Sequence, residues 1–320
     1  MKHITRMKIC LIASIGLMMS KTTMSQTDVD AIMMNKNLFC AGVSYTHSSW
    51  TDYWEGTYKR DNRNLGRVST QTYSIMGNYG ISKKLNFLFN VPYVRTHASA
   101  GTLHGFKGFQ DVSAMLKWMP VLTHLGKKSI LSFYAIGGVS TPMTNYVADI
   151  QPLAIGLHST NLAIRPMVDF QHGHLFATAS GVYMLRSNIT IDRDVYYTTE
   201  MHYTNQVDLP DVAGYNVRAG YRSNVWVAEG FVENMTTLGG FDIRKNDMPF
   251  PSNEMNATQV GLNLKYSASF LPGLEITGGG KYTVAGRNMG QATTIFGGLF
   301  YIMNFNKKAT KNTNQKTAEL

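Results

Sequence analysis

Three shortages narrow the class of protein. The 320-residue chain holds two cysteines, Cys10 and Cys40. Cys10 lies in a predicted secretion signal, so the mature chain would keep one cysteine and no internal disulfide. Only 16% of the residues are charged, against about 25% in typical globular proteins. Beyond residue 25 no apolar run approaches the roughly 18 residues of a membrane-spanning helix. A disulfide-stapled secreted fold is excluded, and a helical membrane protein is disfavoured.

Residues 1–25 have the parts of a secretory signal peptide. Lys2, Arg6 and Lys8 form a basic start, residues 9–19 are apolar, and small residues near Ser25 provide a cleavage site. The net charge of the full chain is +10, and much of this excess lies in the signal and in the tail after Phe305. The other charges are scattered, so we expect no nucleic-acid binding.

The most informative stretch is 78-NYGISKKLNFLFNVPYVRTHA-98. From Leu85 to Tyr93 large apolar residues alternate with smaller or polar ones, and a period of two predicts an extended strand. About nine or ten such residues are what a tilted strand needs to cross a bilayer. A chain built from such hairpins would be a membrane β-barrel.

The same alternation recurs along the chain and predicts twelve strands. The connections after the even-numbered strands are short, and most of those after the odd-numbered strands are long. This segregation is typical of an outer-membrane barrel with short periplasmic turns and long extracellular loops. When the sheet closes into a barrel, every strand edge is hydrogen-bonded to another strand, which is necessary because lipid cannot bond backbone groups. The strands are expected at about 38–47, 68–80, 85–97, 110–119, 129–140, 160–171, 174–187, 211–221, 225–235, 257–269, 274–285 and 293–305.

We therefore predict one all-β domain, a single transmembrane antiparallel β-barrel of about twelve strands over residues 38–305. A signal peptide (1–25) and a periplasmic lead (26–37) precede it, and a polar periplasmic tail (306–320) follows. Residues 296-FGGLFYIMNF-305 resemble the terminal strand that the outer-membrane assembly machinery reads, although the tail follows the final aromatic residue. The expected location is the outer membrane of a Gram-negative cell, in contact with its lipids.

Four segments carry a family resemblance: 53-YWEG-56, 78-NYGISKKLNFLFNVPYV-94, 108-GFQDVSAMLKW-118 and 140-STP-142. They resemble the outer-membrane family named for a meta-pathway of phenol degradation, whose members are called transporters. The resemblance covers the first half of the chain well and continues loosely to its end. It implies a barrel that admits small hydrophobic or aromatic compounds.

Charged residues fall on the inward face of the predicted strands. They have two interpretations: a pore lining that selects solutes, or a salt-bridged filling of a narrow lumen. Arg218 and Glu229 lie on neighbouring strands of one hairpin and are expected to reach each other diagonally. The candidate lumen residues are Arg165, Asp169, Arg218, Glu229, Glu233, Lys265, Glu275 and Lys281.

Two other functions are considered. A lipid hydrolase would need a base within reach of a hydroxyl group, and the candidates are His47 with Ser49 or the segment 158-HSTN-161. A structural or adhesive barrel would use the loop aromatics Trp50, Tyr53 and Trp54, which fit an interfacial girdle better.

Asp192, Asp194 and Glu200 do not have the spacing of a calcium loop, and we interpret them as solvated acids. We predict a passive channel or transporter for small solutes of unknown identity. We predict no enzymatic activity, no catalytic residue, no metal and no cofactor.

Overall fold

The computed structural model describes residues 27–244 and 247–306. The predicted signal peptide (1–25) and all but the first residue of the predicted tail (306–320) lie outside these ranges. The long strands are β1 Leu38–Trp50, β2 Val68–Gly80, β3 Leu85–Ala98, β4 Asp111–Leu125, β5 Ser129–Pro142, β6 Asn161–His172, β7 Leu175–Arg186, β8 Val212–Arg222, β9 Trp226–Thr237, β10 Asn256–Ser267, β11 Leu274–Arg287 and β12 Thr293–Asn304.

The twelve strands form a closed antiparallel barrel. Each strand pairs with its neighbours in the chain, and β1 pairs with β12 from Leu38 opposite Asn304 to Ser49 opposite Thr293. Because the sheet closes, every long strand has a hydrogen-bonded partner on both sides, as a strand in lipid requires. The predicted fold class is confirmed. Within the described residues, none of the chain forms a helix of the length and hydropathy that would carry it through a membrane.

The two faces of the barrel wall differ as the period of two predicts. On β10 the outward side chains Val260, Leu262 and Leu264 are exposed, and in a bilayer they would contact acyl chains. The alternate side chains Asn263 and Lys265 are buried inside the barrel. Each strand therefore presents apolar side chains to the outside of the barrel and polar side chains to its interior.

The connections at the two ends differ in length. Residues 81–84, 126–128, 173–174, 223–225 and 268–273 form the short-turn rim, and residues 51–67, 99–110, 143–160, 187–211, 238–255 and 288–292 form the long-loop rim. Gly173 has φ of 59° in a two-residue turn, the conformation that such a hairpin needs and glycine adopts freely.

Strand β4 is longer than predicted. The sequence suggested that this strand ends near residue 119 and that a turn follows. Pro120 also cannot donate a ladder hydrogen bond. Instead β4 continues to Leu125, with a register shift between Trp118 and Val121. The irregularity accommodates Pro120 without ending the strand.

The segment before β1 differs from the predicted periplasmic lead. Residues 27–36, which we call the plug, run from the rim into the barrel. Asn35 and Lys36 are exposed at the rim, whereas Asp30 is 1% exposed and Met34 is fully buried inside. The plug contains an apolar run from Ala31 to Met34, and the lumen offers that run partners that the periplasm lacks.

Candidate functional site

The plug enters the barrel at the short-turn rim. The Asn37 amide donates to the Gly80 carbonyl over 2.8 Å, and the Phe305 amide donates to the Asn37 carbonyl over 2.9 Å. A Cβ atom on Gly80 would collide with the carbonyl groups of Met34 and Asn35. Glycine at position 80 therefore lets the plug backbone pass close to the wall.

The Asp30 carboxylate joins two walls of the barrel. Its Oδ1 atom lies 3.1 Å from Nζ of Lys117 on β4, and its Oδ2 atom lies 2.7 Å from Nζ of Lys265 on β10. The amide and hydroxyl groups of Thr27 also donate to Oδ2, at 2.9 and 3.1 Å. The Ile32 amide donates to Oδ1 over 3.2 Å. One carboxylate thus links the plug to strands that are distant in sequence.

Lys117 holds the plug backbone as well. Its ammonium group donates to the carbonyls of Thr27 (3.0 Å), Asp30 (2.5 Å) and Ile32 (3.0 Å), and the residue is fully buried. A buried cation is tolerated because these acceptors replace water. Burial alone would raise the pKa of Asp30, but Lys265 and Lys117 outweigh burial and hold this pKa well below its ordinary value of 3.8.

Apolar contacts of the plug surround this polar centre. Ala31 belongs to one buried cluster with Met119, Tyr134, Ile136 and Met167. Ile32 packs against Phe176 and Val227, and Met34 packs with Cys40 and Phe300. The Tyr134 hydroxyl donates to the Ala31 carbonyl over 2.9 Å. The interior wall therefore matches the plug in both charge and shape.

Four of the eight predicted lumen residues form one polar network on β8, β9 and β11. Arg218 bonds Glu229 over 2.6 Å, so the predicted diagonal contact is confirmed. Lys281 bonds Glu233 over 2.6 Å, and Asn216 bridges the two pairs through Glu233 and Arg218 at 3.3 and 3.0 Å. The Arg218–Glu229 pair is buried, whereas both side chains of the Lys281–Glu233 pair are 28% exposed.

Two of the predicted acids have partners on neighbouring or next-but-one strands. Asp169 accepts a hydrogen bond from Thr178 at 2.5 Å and pairs with Arg222 at 3.3 Å. Glu275 accepts a hydrogen bond from Ser267 at 3.2 Å.

The remaining two predicted residues, Arg165 and Lys265, contact the plug. Arg165 pairs with Asp28 at 3.3 Å, and Lys265 pairs with Asp30. All eight side chains have polar partners within the barrel, and their role in selecting solutes stays a prediction.

Sequence reasoning assigned a role neither to Asp30 nor to Lys117. The usable signal for Asp30 was the unexplained apolar run Ala31–Met34 beside it. For Lys117 the signal was a lone cation between Met115 and Met119 on the inward face.

Two cavities flank the plug. The larger, of about 290 Å³, adjoins β8–β12 and also β1 and β2, and its lining includes Val29, Arg218, Glu233, Lys265 and Lys281. The smaller, of about 100 Å³, lies towards β1–β4. Thr27 borders both cavities. The plug therefore divides the space inside the barrel.

The long-loop rim is partly covered by a second structure, the loop cluster. Its buried members come from the loops 143–160, 187–211 and 238–255 and are Ala148, Ile189, Ile191, Tyr196, Val207, Leu209 and Phe250. Loop 143–160 also crosses to β2 and β3. There Leu153, 1% exposed, packs with Val68 and Ala98, and its carbonyl accepts a bond from Thr96 over 2.5 Å. This loop folds over the mouth of the barrel.

Tyr146 fastens the same loop to the wall. Its hydroxyl donates to Asp111 at the start of β4 and accepts from the His158 amide over 2.9 Å. Burial, and then the hydrogen bond to Asp111, raise the pKa of Tyr146. The hydroxyl therefore stays protonated and remains a donor at neutral pH.

The loop aromatics do not form the expected girdle. Trp54 is 8% exposed, and its ring covers Gly286 at the end of β11. The Trp50 ring covers Gly290 and lies 6.2 Å from that of Tyr53. These rings fasten the first long loop to the β11–β12 connection, because the two glycines leave room for them.

Neither hydrolase candidate forms the required contact. The Nδ1 atom of His47 is buried without a hydrogen-bond partner in the described part of the chain. In 158-HSTN-161 the Ser159 hydroxyl donates to the Ser187 carbonyl over 2.8 Å, and the His158 ring packs on Tyr146 instead. No base is placed to activate either serine through these atoms.

The loop acids Asp192, Asp194 and Glu200 are all exposed. Across residues 27–244 and 247–306, no three His, Cys, Asp or Glu side chains are grouped to hold a metal ion.

Among solved structures, the chain is similar to an outer-membrane channel from Pseudomonas putida F1. The TM-score is 0.69 at 13% identity, over 87% of this chain and 99% of that one. This likeness shows a shared barrel fold. The translocator domain of the autotransporter NalP from Neisseria meningitidis matches at a TM-score of 0.42 and 11% identity, over 95% and 96% of the two chains.

No protein-family model matches the chain. No curated protein matches it either. The resemblance to the phenol-degradation family therefore stays a prediction.

Proposed function

We propose that this protein is an outer-membrane channel for passive passage of small solutes, and that the plug closes it from the short-turn side. The observation that carries the proposal is the docking of the plug on Lys117 and Lys265 through Asp30. The side chains of the strands fill the lumen of a small structural barrel, whereas here a separate segment held by polar contacts fills much of it.

The path for solutes follows from the distribution of charge. With the plug withdrawn, the larger cavity and the site of the plug merge into one polar lumen bordered by β4 and β8–β12. The Lys281–Glu233 pair is partly exposed and lies where a solute would pass, so it is placed to influence selection. The family resemblance adds small hydrophobic or aromatic compounds as the expected solutes.

If the signal is cleaved after Ser25 as predicted, the plug begins at the amino terminus of the mature chain. It would then have one covalent connection to the wall, which suits it to movement. Withdrawal towards the periplasm then needs no break in a barrel strand.

The test is single-channel conductance of the refolded full chain in planar bilayers, for the wild type and Asp30→Asn. Removing one partner of a buried ion pair costs about 3–5 kcal/mol, and about 1.4 kcal/mol is already a tenfold change in equilibrium. We expect at least about a tenfold rise in the open fraction.

Asp28→Asn is the matched control. It removes a carboxylate two residues away that pairs with Arg165 but is 34% exposed. Because exposed pairs are worth only about 0–1 kcal/mol, we expect an open fraction close to that of the wild type. A folded Asp30→Asn barrel that never conducts would favour the alternative, a plugged structural or adhesive barrel.

A further inference from the structure

Asp30 occupies a place in the lumen that is built for a carboxylate. Lys117 and Lys265 reach its two oxygens from different walls, with one ammonium group on each oxygen. Both lysines belong to the barrel, whereas Thr27 and Ile32, which also bind the carboxylate, belong to the plug. When the plug leaves, the two lysines remain.

The surroundings of this place are apolar on one side. Next to the carboxylate, Ala31 is enclosed by Met119, Tyr134, Ile136 and Met167, and Ile32 by Phe176 and Val227. The larger cavity adjoins the place on the other side, and Lys265 lines it. The barrel therefore offers two cations beside an apolar surface, with open space next to them.

From this geometry we infer that the Lys117–Lys265 pair is a binding subsite for small monocarboxylates with an apolar body, and that Asp30 mimics such a solute. A carboxylate ligand forms the same two charge-assisted hydrogen bonds, and its apolar body replaces Ala31 and Ile32. The solute and the plug then compete for one place. This inference rests on the proposed channel function and names its solute class.

The competition gives the subsite a second consequence. A solute that binds the two lysines favours the withdrawn state of the plug by the ratio of its affinities for the two states. Such a solute would open its own path.

The first experiment measures binding by titration calorimetry on the detergent-solubilised Asp30→Asn chain. The probes are benzoate, acetate and benzyl alcohol, which separate the carboxylate from the apolar body. We expect benzoate to bind at one site, at least tenfold more tightly than either of the others. The double variant Asp30→Asn/Lys265→Met is expected to weaken benzoate at least tenfold.

The second experiment measures withdrawal of the plug in a chain that keeps Asp30. Val29→Cys puts a thiol on the plug beside the larger cavity, and its labelling by a water-soluble maleimide reports withdrawal. We expect benzoate to speed labelling several-fold, with little effect from benzyl alcohol. If labelling shows that the plug stays docked in Asp30→Asn, the titration uses Asp30→Lys instead, because repulsion between the new lysine, Lys117 and Lys265 would drive the plug out of the subsite.

The outcomes separate the two proposals. Benzoate binding that depends on Lys265, without conductance in any variant, would keep the subsite and refute the channel. Conductance in Asp30→Asn with equal affinities for the three probes, or with binding unaffected by Lys265→Met, would overturn the subsite alone.

Discussion

The plug and the loop cluster narrow the same barrel from opposite ends by different physical means. The plug depends on one carboxylate, two lysines and three carbonyl acceptors around Lys117. The loop cluster is mainly apolar, with seven buried residues from three loops. Buried ions are costly unless fully paired, whereas apolar contacts lose stability in increments.

Under the proposed channel function, this contrast favours the plug, rather than the loop cluster, as the part that moves to open the barrel. Removing one partner of the polar centre leaves a buried charge unpaired, at a cost of about 3–5 kcal/mol, whereas water can satisfy the same charges once the plug has left the lumen, as a gate requires. The apolar side chains of the loop cluster find no such alternative partner in water. We therefore expect the plug to move during passage and the loops to hold the mouth in place.

The largest expected effect comes from Lys117→Met. It removes a cation that contacts both the Asp30 carboxylate and the plug backbone, and breaking a buried pair costs about 3–5 kcal/mol. Labelling of a Val29→Cys plug by a maleimide should rise at least tenfold. Lys84→Met, at an exposed lysine on the short-turn rim, should leave labelling unchanged. If labelling of the Val29→Cys plug stays slow in Lys117→Met, the apolar contacts alone hold the plug.

Leu153→Ala should loosen loop 143–160, which is anchored on β2 and β3 by Leu153 and contributes Ala148 to the loop cluster. Truncating a buried leucine costs about 2–5 kcal/mol, so loop 143–160 should become sensitive to limited proteolysis. Leu103→Ala, at an exposed leucine of loop 99–110, is the control. Because the plug and the loops are held by separate contacts, we expect no change in plug labelling for either variant. Faster plug labelling in Leu153→Ala would show that the loops and the plug are coupled.

A smaller effect is expected from Glu233→Gln in the conducting Asp30→Asn background. A unit charge at about 4 Å in water is worth about 1 kcal/mol, so the cation-to-anion permeability ratio should fall about fivefold. The reversal potential in a salt gradient measures it. Glu200→Gln in an exposed loop should not shift the ratio, and an unshifted Glu233→Gln would place the ion path away from Lys281.

The smallest expected effect is that of mild acid on the plug. The pKa of Asp30 is lowered in the docked state, so its contribution is complete above the ordinary value of 3.8 and is lost only as the pH falls through the lowered pKa. The open fraction of the wild type should be the same at pH 8 and pH 5. Opening near pH 5 would show that another group controls the plug.

Much of the barrel followed from the sequence. Alternation along residues such as Leu85–Tyr93 fixes which face each side chain takes, because side-chain direction in a strand repeats every two residues. The Arg218–Glu229 contact was predictable because the two residues lie on one hairpin. The continuation of β4 past Pro120 was not, because the local rule for proline disfavours a strand interior and a register shift overrides it.

The position of the plug could not be predicted from local sequence patterns. Residues 27–36 are short and mixed in character, and they have no periodicity that predicts a position. Their place depends on Lys117 and Lys265, which are 87 and 235 residues from Asp30 in the chain.

By itself the sequence determined the number of strands, their faces and the difference between the two rims, because each follows from neighbouring residues. The tertiary structure alone decided that the lumen is occupied and by what. That outcome depends on charges and apolar surfaces that meet only after the barrel has closed.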